Sequence, residues 1–212
     1  MIRRLLQLAE TAGEPTRFQT MLGYVYFNLG RIARNRGLNE DAIDWNSQAI
    51  AAQNIELSLR QGNEAADTKR VRGALNNAYR ERARGLMRLG RLDEARADCA
   101  QGMIHIVDHE ADGLRALYAR ILARSGEQEA SLQKLTEIES TQPLNYIDVV
   151  DIAAAYAQLL KDGVDEKYRQ PLLEALTQAR EMEPEQFIRV PSEPEFVDLM
   201  EFPGLVAALY AN

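Results

Sequence analysis

Apolar residues recur along this chain at spacings of three and four rather than two. Leu86, Leu89, Leu92, Ala95 and Cys99 are one such series, which is the period of an amphipathic helix. Strand-like alternation of β-branched residues is missing. After Pro15 the next proline is Pro143, so long uninterrupted helices are allowed between them. The pattern predicts an all-α fold.

The helical signal repeats. Asn28-Leu29-Gly30-Arg31-Ile32-Ala33 is followed by Arg36-Gly37-Leu38-Asn39-Glu40-Asp41-Ala42 and then Ala49. Arg82 to Leu86 is followed by Leu89-Gly90-Arg91-Leu92-Asp93-Glu94-Ala95. Leu117 to Leu122 is followed by Ser125-Gly126-Glu127-Gln128-Glu129-Ala130, and a weaker series ends at Gly163. Each series reads as a helical hairpin. A small residue (Gly30, Ala83, Ala119) allows close helix approach. The turn glycine supplies a left-handed C′ position. Acidic residues then open the second helix, where the dipole favours negative charge. An alanine at 42, 95 or 130 is expected to pack against the first helix. In the third series that spacing implies a one-residue deletion. The turn glycines lie 53, 36 and 37 residues apart. The long first interval predicts a second helix over about 39–61 and a long first helix over about 64–89.

This set of residues resembles the tetratricopeptide repeat family. That pattern has Leu-Gly, a turn glycine seven residues on, and alanines five and twelve residues beyond. Leu29, Gly30, Gly37, Ala42 and Ala49 match it; Ala83, Leu86, Gly90 and Ala95 match in part, with Arg82 and Gly102 departing. The family period is about 34. The resemblance implies a right-handed α-solenoid of antiparallel helix pairs, with nine to eleven helices. The array is expected over 1–183. Residues 184–212, rich in proline and acid, are expected to form short capping helices, since an open array end exposes apolar surface. The ending Pro194-Glu195-Phe196 to Leu209 is also similar to the tail of tetratricopeptide regions attached to bacterial serine/threonine protein kinases.

Composition narrows the class. The 212 residues are 46% apolar and 27% charged, ordinary globular usage. Net charge is -7, which disfavours a general nucleic-acid or anionic-membrane binder. The single Cys99 permits no internal disulfide and fits a reducing compartment. The apolar stretch after Arg3 and Arg4 is short and ends at Glu10, unlike a secretory signal. The longest uncharged run, Phe18 to Gly30, falls below the roughly 20 apolar residues of a spanning helix. A cytoplasmic location is expected.

Charge is segregated. Residues 1–124 hold 19 basic and 15 acidic side chains, and residues 125–212 hold 6 and 17. Arginines outnumber lysines 21 to 4, and arginine forks onto carboxylates and phosphates where lysine does not. In the resembled family the first helix of each hairpin lines a concave groove. Carried onto this sequence, the groove positions are Tyr24, Phe27, Arg31, Arg34 and Asn35; then Asn77, Arg80, Arg84, Met87 and Arg88; then Gly113, Ala116, Arg120, Ala123 and Arg124. Arg80, Arg84 and Arg88 share one helix face, with no acid at i+4 to neutralise them. Some family members clamp a peptide carboxylate with Lys and Asn where this chain has Phe27 and Arg31, so that clamp is not carried over.

The expected function is a non-catalytic protein-interaction module. It binds an acidic or carboxylate-bearing peptide through these arginines, with Tyr24 and Phe27 as apolar anchors. Two other readings stand beside it. One is a regulatory segment of a larger bacterial kinase or signalling protein. The other is nucleic-acid binding by the arginine stripe, which overall acidity disfavours. The acidic tail (Glu193, Glu195, Asp198, Glu201) also invites self-association, by docking on the basic face of the same or another chain. His105 and His109 share a helix face but lack a third ligand or an HExxH signature. Cys99 is expected to be a small core residue, and Trp45 a packing residue. No catalytic residue, metal or cofactor is assigned.

Overall fold

A computed structural model describes residues 15–60, 65–105, 112–138, 144–161, 163, 166–197, 199 and 204–210. Among these residues there are eleven α-helices, two short 3-10 turns and no strand. The chain divides into two compact units between residues 108 and 109. This division lies inside the array expected over 1–183.

The first unit contains α1 (Pro15–Asn35), α2 (Asn39–Leu59), α3 (Ala65–Arg88) and α4 (Leu92–Ile104). Its helix ends follow from turn chemistry. Gly37 has φ 77 and Gly90 φ 75, conformations that any side chain would strain. At the first turn, Gly37 N–H donates to Arg34 O (2.9 Å) and Leu38 N–H to Ala33 O (3.0 Å). At the second, Gly90 donates to Met87 O (3.1 Å) and Arg91 to Leu86 O (3.0 Å). This pair of bonds satisfies the orphan carbonyls of a finished helix. Glu40 and Asp41, then Asp93 and Glu94, occupy the first turns of α2 and α4.

Close approach of α1 and α2 depends on Gly30. A Cβ there would lie 2.5 Å from Asn46 Nδ2, a distance that forces Asn46 to move. Ala42 and Ala49 are completely buried. Helix α3 then packs on α2 around a core of Ala49, Ile50, Val71, Leu75, Ala78 and Tyr79, with Tyr26, Phe27 and Leu57 at its edge. Cys99 is fully buried on α4. Trp45 is half-buried and stacks on Tyr26, with ring centroids 5.8 Å apart.

The second unit contains α5 (Asp112–Arg124), α6 (Gln128–Thr136), α7 (Tyr146–Lys161), α8 (Arg169–Met182) and three short helices. These are α9 (Pro184–Phe187), α10 (Pro194–Val197) and α11 (Leu205–Tyr210). The α5–α6 turn repeats the two bonds, Gly126 N–H to Ala123 O (3.0 Å) and Glu127 N–H to Leu122 O (2.9 Å). The expected deletion is not there. Five residues after the glycine stands Ser131, completely buried, in the place of Ala42 and Ala95. Its hydroxyl donates to Ala119 O at 2.8 Å, so a polar residue fills the small-residue position with no unsatisfied group. Ala130 beside it is only half-buried.

Helix α6 has only nine residues, about 14 Å of helix. Accordingly α7 packs chiefly on α5, whereas in the first unit α3 packs chiefly on α2. The short helices are integral to this unit. Phe187, Val190, Phe196, Leu199, Leu205 and Leu209 share one buried cluster with Val149, Ala153, Leu172 and Leu176 of α7 and α8. Pro184 and Pro194 open α9 and α10, where a missing N–H costs nothing. Pro203 lies outside the described residues. Among the described residues no helix is long and apolar enough to cross a membrane.

Candidate functional site: the arginine faces of the two units

In the first unit, three of the expected arginines, Arg31, Arg84 and Arg88, lie near enough to a fourth, Arg34, for their charges to act on it. Arg34 of α1 lies 2.8 Å from Glu81 of α3. The guanidinium Nε–H is not aligned for a hydrogen bond in this ion pair. Burial pulls the Arg34 pKa down; Glu81 opposes this, and the charges of Arg84, Arg88 and Arg31 add to the lowering. The balance is a lowered pKa in spite of the nearby carboxylate.

The other expected residues take different places. Arg31 is exposed, with its guanidinium carbon 6.0 Å from the Phe27 ring centroid, a distance suited to cation–π attraction. Phe27 is half-buried at the edge of the core. Tyr24 is 51% exposed. Asn77 and Arg80 are half-buried, Arg84 is buried, and Arg88 and Asn35 are exposed. Met87, Gly113, Ala116 and Ala123 are buried and belong to the packing.

Two polar networks in this unit escaped the sequence reading. Glu56 of α2 is buried and accepts hydrogen bonds from Thr20 Oγ1 (2.6 Å), Arg60 Nε (2.9 Å) and Arg70. Burial works against the Arg70 charge, but hydrogen bonding to Tyr24 and the Glu56 carboxylate raise its pKa overall. Arg82 forks onto Asp98 of α4 at 2.7 and 2.6 Å and donates to Ser47 Oγ of α2 at 3.1 Å. It thus ties three helices, with the Tyr79 ring 5.5 Å away. Only the Glu56–Arg60 spacing of four was a visible signal. The rest join helices far apart in sequence.

In the second unit, Arg120 of α5 is buried and surrounded by the chain's own carboxylates. Its Nε donates to Glu195 Oε1 at 2.8 Å and one terminal nitrogen to Glu195 Oε2 at 2.8 Å. The same nitrogen donates to Glu193 Oε2 at 2.6 Å, and the other to Asp151 Oδ1 of α7 at 3.1 Å. Arg124, one turn on, approaches Glu195 at 3.9 Å. Thus two of the four acidic residues weighed for docking on the basic face, Glu193 and Glu195, lie on Arg120 of the same chain. The charge of Arg120 is engaged internally. Asp198 and Glu201 lie outside the described residues.

Titration follows from these contacts. Burial opposes the charge on Arg120, yet Glu195, Asp151 and Glu193 raise its pKa. For Glu195, burial would push the carboxyl up, but the Arg120 hydrogen bond and charge hold it below the usual range. Tyr146, at the start of α7, is pushed up to about 12 by burial and by the charges of Glu193 and Glu183. A carboxyl with a depressed folded pKa stabilises the fold above its unfolded value, about 4.3. That stability is lost as pH falls through the folded value. The second unit should therefore keep constant amide protection down to about pH 5 and lose it progressively below pH 4. Glu195→Gln should flatten this acid limb in hydrogen–deuterium exchange. An acid limb of the same steepness in the variant would remove Glu195 as its cause.

His105 stacks on Tyr79 with centroids 5.9 Å apart. Burial, then the Arg72 charge, lowers its pKa. His109 lies outside the described residues. Among the described residues no group of three or more His, Cys, Asp or Glu is placed to hold a metal ion. No protein-family model matches the chain, and no curated protein matches its sequence.

Proposed function

We propose that this chain is a non-catalytic interaction module of tetratricopeptide type, its hairpins forming a right-handed solenoid. Its first unit binds an acidic peptide segment on the face shared by α1 and α3. The supporting observation is that Arg31, Arg84 and Arg88 lie near enough to Arg34 for their charges to add to the lowering that burial causes, against Glu81. An acidic ligand forms charge-assisted hydrogen bonds with exposed arginines such as Arg31 and Arg88. Exposed Tyr24 and half-buried Phe27 supply apolar contact on the same helix as Arg31 and Arg34.

The exposed members give the cleanest test. A fluorescent glutamate-rich decapeptide should bind wild type with a strong salt dependence. Arg31→Glu with Arg88→Glu should weaken binding by roughly tenfold or more, from two reversed charges. Circular dichroism should be unchanged, because both side chains are exposed. Equal binding by wild type and variant would sink the reading.

A further inference from the structure

Helix α1 leaves a row of apolar side chains uncovered. Met21, Val25 and Ile32 are 54%, 42% and 49% exposed. Their spacing places them along one side of the helix. Phe27 and Arg34, two residues after Val25 and Ile32, lie about 200° of rotation away. The row is therefore a different face from the one proposed for the peptide. Single exposed apolar residues are ordinary, but three in line on one helix side mark a contact surface. The charged residues of α1 are Arg17, Arg31 and Arg34, with no acid among them. Arg36, just past its end, is exposed as well.

The second unit carries a complementary surface. There α11 lies along α8. A Cβ on Gly204 would stand 3.5 Å from Leu173 Cδ1, and Arg180 donates to Ala208 O at 3.3 Å. Met182 and Tyr210, the last residues of these two helices, are both exposed. Ile188, just past α9, is 80% exposed. Glu181, Glu183 and Glu185 are exposed in the same stretch. Apolar side chains here have an acidic rim, whereas those of α1 have a basic one.

Opposite rims favour contact and like rims oppose it. Two α1 faces brought together would set arginine against arginine, which disfavours a two-fold pair. We infer that the outer face of α1 docks a second copy of this chain. The row Met21, Val25 and Ile32 of one copy packs on Met182 and Tyr210 of the next, with Arg36 and the α1 arginines towards Glu181, Glu183 and Glu185. Such a contact is heterologous. Each copy keeps one unused face of each kind, so assembly continues past the dimer into chains or rings.

Sedimentation velocity on the full chain tests this. The average mass should rise with concentration beyond that of a dimer, with a Kd on the order of 10 µM, the weak end for a small interface. Added salt should weaken it, because the rims are charged. Val25→Glu with Ile32→Glu removes the first face, and Met182→Gln with Tyr210→Gln removes the second. All four side chains are exposed, so circular dichroism should not change. Each variant alone should associate at least about tenfold more weakly than wild type. An equimolar mixture of the two should form one-to-one pairs and nothing larger, since each brings one intact face. A wild type that stays monomeric at about ten times that Kd would overturn the inference. So would a mass that levels off at the dimer, or one that either variant leaves unchanged. A mixture that remains monomeric while wild type assembles would show that these two faces do not meet.

Discussion

Arg120→Ala is expected to destabilise the second unit by about 3–5 kcal/mol, the range for removing one partner of a buried ion pair. The reason is what remains. Asp151 and Glu195 are almost fully buried, and Glu193 completes a cluster of three carboxylates on one guanidinium. Without Arg120, Asp151 and Glu195 lose the buried guanidinium they share, and Arg124 approaches Glu195 only at 3.9 Å. The cost is the desolvation of those groups, not the net worth of the pair. Converting the cluster to apolar residues as a whole, Arg120→Met with Asp151→Leu and Glu195→Met, should recover most of the loss. Hydrogen–deuterium exchange of the α5, α7 and α10 amides reads the effect directly. Arg31→Ala, at an exposed site, is the control with no expected change in stability. Unchanged protection in Arg120→Ala would mean that the carboxylates find another cation or reach solvent.

Phe196→Ala is expected to cost a similar amount, about 3–5 kcal/mol for a fully buried aromatic. Phe196 is completely buried beside Leu199 and Leu205 and against residues of α7 and α8. Removing the ring leaves a cavity under a helix of four residues, which has too few bonds of its own to hold position. The adjacent Glu195 would then be released from Arg120. For that reason Arg120→Ala and Phe196→Ala should be non-additive, the double variant costing clearly less than the sum. Urea unfolding of the single and double variants measures this. Strict additivity would show that the ionic cluster and the aromatic anchor act independently.

The helices were legible because their signals are local. The second helix, expected over about 39–61, is Asn39–Leu59, and the next, expected over about 64–89, is Ala65–Arg88. Gly37, Gly90 and Gly126 end helices because left-handed backbone excludes side chains, and this holds whatever packs nearby. The small-residue rule was legible for Ala42 and Ala95 and misread at Ala130. There the buried position is Ser131, whose hydroxyl needs Ala119 O across the hairpin before serine can count as small and satisfied. Placement of the arginines on helices was equally legible, but not their counter-ions. A scan for acids at i+4 finds partners only along one helix. Glu81 meets Arg34 from another helix, and Glu195 meets Arg120 across 75 residues.

The amino-acid sequence alone therefore determined the secondary structure, the turn positions and which helix each arginine occupies. These depend on backbone conformation and on the helix period, which act within a few residues. Only the tertiary structure decided which arginines are engaged and by what. It buries Arg120 under Glu193 and Glu195 and gathers Arg31, Arg84 and Arg88 about Arg34. Charge interactions act through space, and burial sets their strength. No count along the chain can supply either distance or burial.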